Sequence, residues 1–363
     1  MALSFDPFNE LADDECAPRI GEARKQLGEQ ALLLCHHYQR PDIYKHADMS
    51  GDSLKLSRFA AESKAEYIVF CGVHFMAEVA DLLSSSEQIA ILPDLAAGCS
   101  MADMANLAKV ERCWRELGTV LDVEGCVTPV TYINSAADLK AFCGQHGGIV
   151  CTSSNAQTIA EWALQRREKI LFFPDQHLGR WTGHQMGIDF EAMPVWDPDK
   201  EMGGLTSEQI KQSRFLLWKG FCSVHQMFNK RQIDNFRQRF PQGQVIVHPE
   251  CSFEVCLNSD HVGSTETIVK TVSASPPGTT WMVGTELNLV ERLAQEMAPH
   301  DKKVFFMADS ICMCSTMQRI DPQHLCWTLE NLVAGEVVNK ISVPANEAAA
   351  ARLSIERMLS VSR

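Results

Sequence analysis

The chain has 363 residues, fourteen cysteines and a formal charge of −13. That length exceeds what one hydrophobic core organises, so two or three domains are expected. The acidic balance and the lack of an aromatic-interleaved Lys/Arg cluster argue against a nucleic-acid partner, and no apolar run approaches the roughly 18 residues of a membrane span.

The acidic lead-in MALSFDPFNELADDECAPRI does not read as a secretory signal, so a cytoplasmic location with reduced thiols is expected. GEQALLLCHHY (28–38) predicts a strand ending near Cys35. GDSLKLSRFAAES (51–63) predicts a turn and helix, AEYIVFCGVHF a strand, MAEVADLLSS a helix, and EQIAILPDLAAGC a strand running into a loop. The order then recurs. CVTPVTYINSAADLKAFC (126–143) and GGIVCTSSNAQTIAEWALQ each read as strand, turn and helix, and KILFFPDQHLG closes the set. A third pass runs through GQVIVHPECSFEV, DHVGSTETIVKTVSAS, TTWMVGTELNLVERLAQEM and KKVFFMADSICMC. Strands alternating with helices of this length predict an α/β fold with parallel sheets.

The runs IAILPD, ILFFPD and VFFMAD read as matching final strands, each closed by Asp. They predict three similar units of about 100 residues, 20–113, 114–220 and 221–330. The two helices read within 331–363 are expected to pack back on the first unit.

Parallel sheets place ligands beyond the carboxyl ends of their strands. Cys35, Cys71 and Cys151 at strand ends, and Cys113, Cys143 and Cys326 on apolar helices, read as core. Cys99 after PDLAAG, Cys222 in WKGFCSVHQ and Cys314 before STMQRID differ. Each sits in a loop before an expected helix, where the helix dipole favours a thiolate. Three such thiols suit a metal centre, and both zinc and an iron–sulfur cluster fit their softness. Cys312 shares the third loop. The other loop tips offer groups suited to an anionic, oxygenated small molecule: His36, His37, Tyr38 and Gln39; Asp52 and Ser53; Tyr132 and Asn134; Thr152 to Asn155; His248 and Glu250; Ser264 and Thr265. Taken singly, the hydroxyls are ordinary helix caps. Taken together, they predict an anion-binding cavity. Glu250 beside an imidazole suits proton exchange. No GxGxxG, GxxxxGK[ST] or GxSxG occurs in a fitting context, which sets aside the usual nicotinamide, P-loop and α/β-hydrolase chemistries.

The blocks CHHYQ, GDSLKLSR, ILPDLAAGCSMADMA, VTYINSAADLKA, VCTSSNA, FFPDQHLG, GFCSVH, VIVHPEC, VGST, VGTE and CSTM followed by WTLENL, taken in order, resemble the quinolinate synthase family from about Leu33 to Val343. The resemblance implies three similar three-layer αβα domains with small parallel sheets about a pseudo-threefold axis and a central active site. It also implies one [4Fe-4S] cluster per chain with an open iron, held here by Cys99, Cys222 and Cys314. Some members have CxxCxxC around the third ligand. This chain has CMC, and Cys314 is preferred over Cys312 because STM follows it. The implied reaction condenses iminoaspartate with dihydroxyacetone phosphate in NAD biosynthesis. By the same resemblance His36, Ser53, Tyr132, Asn134, Ser154, His248, Ser264 and Thr265 bind substrate. Tyr38 and Glu250 carry protons, with His36 and His248 beside them. An L-aspartate-oxidising enzyme and iron–sulfur assembly proteins are the implied partners. Two alternatives stay open: a zinc- or iron–sulfur-dependent lyase on another small polycarboxylate, and a non-catalytic iron–sulfur metabolite sensor. His37 departs from the family, where Asn is common.

Overall fold

The computed structural model describes residues 2–311 and 313–362, so the question of Cys312 lies outside the described residues. Among the described residues, thirteen short strands form three parallel sheets. The first contains β1 (Ala31–His36), β2 (Met49–Gly51), β3 (Tyr67–Cys71) and β4 (Ile89–Ile91). The second contains β5 (Val127–Tyr132), β6 (Ile149–Cys151), β7 (Lys169–Phe173), β8 (Val195–Trp196) and β9 (Phe215–Trp218). The third contains β10 (Gln244–Val247), β11 (His261–Val262), β12 (Thr280–Gly284) and β13 (Lys303–Phe306). The sheet orders are β2-β1-β3-β4, β6-β5-β7-β9-β8 and β11-β10-β12-β13. With β8 set aside as an added edge strand, all three share one order, second-first-third-fourth. The chain reverses its winding beside the first strand, and that switch point is where open α/β sheets bind ligands.

This order corrects one expected equivalence. ILFFP leads out of β7, which pairs with both β5 and β9 and so occupies the third position. IAILP and VFFMA lead out of β4 and β13, in the fourth position. The counterpart of those two in the second sheet is β9, FLLW.

The chain divides into two compact units. One holds residues 1–99, 286–292 and 312–343 and carries the first sheet; its strand residues Leu33, Leu34, Ile68, Val69 and Phe70 are buried. The other holds residues 100–285, 293–311 and 344–363 and carries the second and third sheets. Around the second sheet Trp196 and Trp218 pack with Phe173, Leu171 and Val127; around the third, Phe236, Val245, Val247 and Met282 do so. The burial of KILFF at every position, with the Lys169 ammonium donating to the Lys211 and Ser213 carbonyls, is what a parallel sheet covered on both faces requires.

The helix Ala345–Val361 packs on the helix Ala137–Gln145 of the second sheet, whereas the sequence placed it with the first unit. Small residues allow the close approach. A Cβ on Gly144 would stand 1.9 Å from the Ala350 carbonyl oxygen. Ser354 Oγ also donates to the Lys140 carbonyl at 2.9 Å. Gly144→Ala is therefore expected to destabilise the chain by about 1–3 kcal/mol through forced separation of the two helices. Urea unfolding measures this, and an unchanged midpoint contradicts the packing. Among the described residues, no helix is long and apolar enough to cross a membrane.

Candidate functional site

The cysteine loops repeat in detail. A 3-10 turn begins three residues after each of Cys99, Cys222 and Cys314, at Ala102, His225 and Met317. An α-helix then begins eight residues after each, at Leu107, Lys230 and Pro322. The residue before each helix caps it: Asn106, Asn229 and Asp321 accept from the N–H groups of Lys109, Gln232 and His324. The sequence placed an α-helix directly after each cysteine; the turn intervenes, so the helix dipole does not act on the thiol at first hand. Burial instead pushes the Cys314 thiol up, against a hydrogen bond with Thr316 Oγ1 at 3.3 Å. Cys99, Cys222 and Cys314 are nevertheless half-exposed. Among the described cysteines only Cys126 shares that exposure, and the strand and helix cysteines read as core are buried. The loop thiols are accessible to a soft metal, and the strand and helix cysteines read as core are not.

The carboxyl ends of β1, β5 and β10 carry matching groups: His36 and Tyr38, Tyr132 and Asn134, His248 and Glu250. At the first, the Tyr38 N–H donates to His36 Nδ1 at 3.2 Å, and the two rings meet edge to face at 4.7 Å. At the third, the Glu250 N–H donates to His248 Nδ1 at 3.4 Å. Both imidazoles thus use Nδ1 as an acceptor, which leaves Nε2 to carry the proton.

In the unit carrying the second and third sheets, several of these groups converge. Tyr132 Oη donates to Glu250 Oε1 at 2.7 Å, and His225 Nδ1 lies 2.9 Å from Glu250 Oε2. The His225 and His248 rings stack at 4.8 Å, and His225 Nε2 lies 3.3 Å from Thr285 Oγ1. Burial pushes the Glu250 carboxyl up, but His248, His225 and the Tyr132 hydroxyl together hold it well below the usual carboxylate range. Glu250 is therefore a carboxylate at neutral pH. Ligand atoms of Cys222, His225 and Glu250 all lie within 4.8 Å of one another, a set able to hold a metal ion.

The second strand of each sheet leads to a helix start. Asp52 caps the helix Ser53–Glu62 and leaves Ser53 at its first position. Asn155 precedes the helix Ala156–Leu164, and Ser264 caps the helix Thr265–Ala274 by accepting from Thr267. Ser154 and Ser264 line one cavity of about 450 Å³, with Ser153, Asn155, Trp181 and Gln185. Thr265 is buried beside it in sequence, and Asn134 and Ser53 are half-buried. Cys314, His36 and Tyr38 belong to the first-sheet unit.

Burial sets an acid limit on this site. It holds His248 at about 3 and His177 at about 4, against an ordinary 6.5. An unfolded chain takes up protons at pH 6.5 that the folded chain refuses until far lower. Stability from these two groups is full above pH 6.5 and falls on acidification by up to about 1.4 kcal/mol per pH unit for each imidazole. Glu286, raised to about 7 by burial, acts oppositely: its contribution is present below about 4.5 and lost as pH rises through 7. The expected net result is a urea midpoint that falls between pH 6.5 and 5 and falls less steeply in His248→Gln. A midpoint that rises on acidification contradicts the assignment.

A family model described as NadA, quinolinate synthetase A protein, matches residues 18–360. The chain is 52% identical over 361 residues to the quinolinate synthase of Acidobacterium capsulatum, covering 99% of this chain and 96% of the relative. The chain belongs to the quinolinate synthase family. It is 52% identical over 357 residues to the quinolinate synthase of Corynebacterium glutamicum, covering 98% and 90%, and 46% identical over 355 residues to that of Halalkalibacterium halodurans, covering 98% and 95%. As a member of the quinolinate synthase family the chain is an enzyme. One group at its site escaped the sequence reading, namely His225. The signal was present in GFCSVH, where Cys222 and His225 have the C-x-x-H spacing of a metal-ligand pair.

Proposed function

We propose that this chain is a quinolinate synthase that condenses iminoaspartate with dihydroxyacetone phosphate to give quinolinate, phosphate and two waters. The observation that carries the reading is the thrice-repeated loop with an accessible cysteine at one fixed position, in a chain of this family. Cys99, Cys222 and Cys314 are the ligands of one [4Fe-4S] cluster. Their donor chemistry fits it, since soft thiolates are its usual ligands and three of them leave one iron free. When bound, the cluster supplies a Lewis-acidic iron with a coordination position not taken by protein.

The remaining work falls to side chains. His36, Ser53, Tyr132, Asn134, Ser154, His248, Ser264 and Thr265 hold the carboxylates and phosphate, through imidazole Nε2–H, hydroxyl and amide donors. The helix amino ends after β2, β6 and β11 add backbone N–H groups and favourable dipoles. Glu250, already ionised, takes a proton from substrate, and Tyr38 supplies one to a leaving oxygen. His225 aligns Glu250 from one side and Tyr132 from the other. The three lobes meet about a pseudo-threefold axis with the site at its centre. An L-aspartate-oxidising enzyme supplies the imine and iron–sulfur assembly proteins load the cluster, in the cytoplasm, where the free thiols of the described cysteines persist.

The set Cys222, His225 and Glu250 favours a second reading, a single zinc ion serving a lyase that acts on another small polycarboxylate. One assay separates the two. Anaerobically purified chain, given both precursors, is expected to form quinolinate. Absence of quinolinate from protein that holds zinc and no sulfide overturns the first reading.

A further inference from the structure

In the first two sheets the third strand leads into a segment held to its cysteine loop. In the first sheet the His74 N–H donates to the Ala97 carbonyl at 2.7 Å, two residues before Cys99. In the second the Gln176 N–H donates to the Gly220 carbonyl at 3.0 Å, two residues before Cys222. The residue preceding each donor differs in kind. It is Val73 in the first sheet and Asp175 in the second, and the matching position in the third is Glu286.

Both carboxylates are fully buried. Asp175 Oδ1 accepts from the Leu178 N–H at 2.6 Å and caps the helix Gln176–Gln185. Its Oδ2 has no hydrogen-bond partner among the described residues. Glu286 Oε1 accepts from the Cys314 N–H at 3.3 Å and from Asn288 Nδ2 at 3.0 Å, and Oε2 accepts from the Asn288 N–H at 2.7 Å. Asn288 Nδ2 also donates to the Tyr38 carbonyl at 3.2 Å, and Arg292 donates to the His37 carbonyl at 3.1 Å.

Burying a carboxylate is costly. A serine or asparagine could cap either helix without that cost, and the first sheet does without any side-chain cap at Val73. At Glu286 a carboxylate adds a second oxygen, so that one holds the helix start while the other reaches another segment. We propose that Asp175 and Glu286 are positioning residues for the metal centre. Glu286 spans from its own helix start to the backbone N–H of Cys314, and Asp175 caps a helix whose Gln176 N–H holds the Gly220 carbonyl, two residues before Cys222. Through Asn288, Glu286 also ties the Cys314 loop to the loop bearing His36 and Tyr38. This arrangement accounts for how the unusual His37 loop is braced, by its backbone carbonyls. Outer groups that fix ligand orientation commonly change metal affinity by about 10–100-fold.

The inference rests on the cluster reading, so the test begins with wild-type chain holding its cluster. An iron chelator is added under anaerobic conditions, and loss of visible absorbance is timed. Asp175→Ala and Glu286→Ala are expected to lose the cluster at least about tenfold faster than wild type. Asp175→Asn and Glu286→Gln keep one carbonyl acceptor and lose the second oxygen, so they are expected to lose the cluster faster than wild type and more slowly than the alanine variants. Should alanine unfold the chain, Asp175→Leu and Glu286→Met fill the space without an acceptor and are read the same way. Loss at the wild-type rate in the variants without an acceptor overturns the inference, as does equal loss in the amide variants. Wild-type chain that carries no cluster overturns the functional reading and this inference together; wild-type chain that carries one, with variants that hold it normally, overturns this inference alone.

Discussion

Cys222→Ser is expected to abolish the cluster and quinolinate formation together. Serine is nearly isosteric with cysteine, but its oxygen is a harder donor and stays protonated at neutral pH, so it binds iron of a cluster poorly. Changes to groups that merely orient ligands cost about 10–100-fold in metal affinity, and removing a ligand costs at least that. The fold should survive. Cys222 is half-exposed and contributes little to a core, unlike Cys143 or Cys151. Iron content, sulfide content and turnover should fall together while the far-ultraviolet circular dichroism stays that of wild type. Cys99→Ser is expected to behave alike. A Cys222→Ser chain retaining cluster and activity removes Cys222 from the ligand set.

Glu250→Gln is expected to do the opposite to the two readouts, leaving the cluster intact while turnover falls by about 10²–10⁴-fold. The amide keeps the shape and can still accept from Tyr132 Oη, now 2.7 Å from the carboxylate. It cannot take up a proton, and it carries no charge toward His225, 2.9 Å away on the other side. The loss should fall on kcat more than on KM, because the missing interaction matters when the proton moves. Undiminished turnover rules out proton transfer at Glu250. If the cluster is lost as well, Glu250 acts on the metal centre instead.

The sequence carried the strand–helix alternation because parallel strands buried on both faces read as apolar runs, and it carried the loop cysteines because Gly and Pro break those runs beside them. It did not carry strand position. ILFFPD and IAILPD look alike, yet β7 lies inside its sheet and β4 at an edge, and only pairing distinguishes them. The added β8 shifts the count in the second repeat. The helix Ala345–Val361 was misplaced for a related reason: its alanine-rich face names no partner until Gly144 is seen against Ala350. His36, His248 and Glu250 were legible as loop-tip groups. The buried carboxylates of Asp175 and Glu286 were not, since Asp175 reads as an ordinary helix cap and the contact of Glu286 with Cys314 lies 28 residues away.

The central claim is that Cys99, Cys222 and Cys314 grip one cluster, and iron and acid-labile sulfide analysis of anaerobically purified chain tests it most directly. The account predicts about four iron and four sulfide per chain for wild type, and loss of both in each of the three single Cys→Ser variants. Full content in any one of those variants, or wild-type protein holding zinc without sulfide, would contradict it.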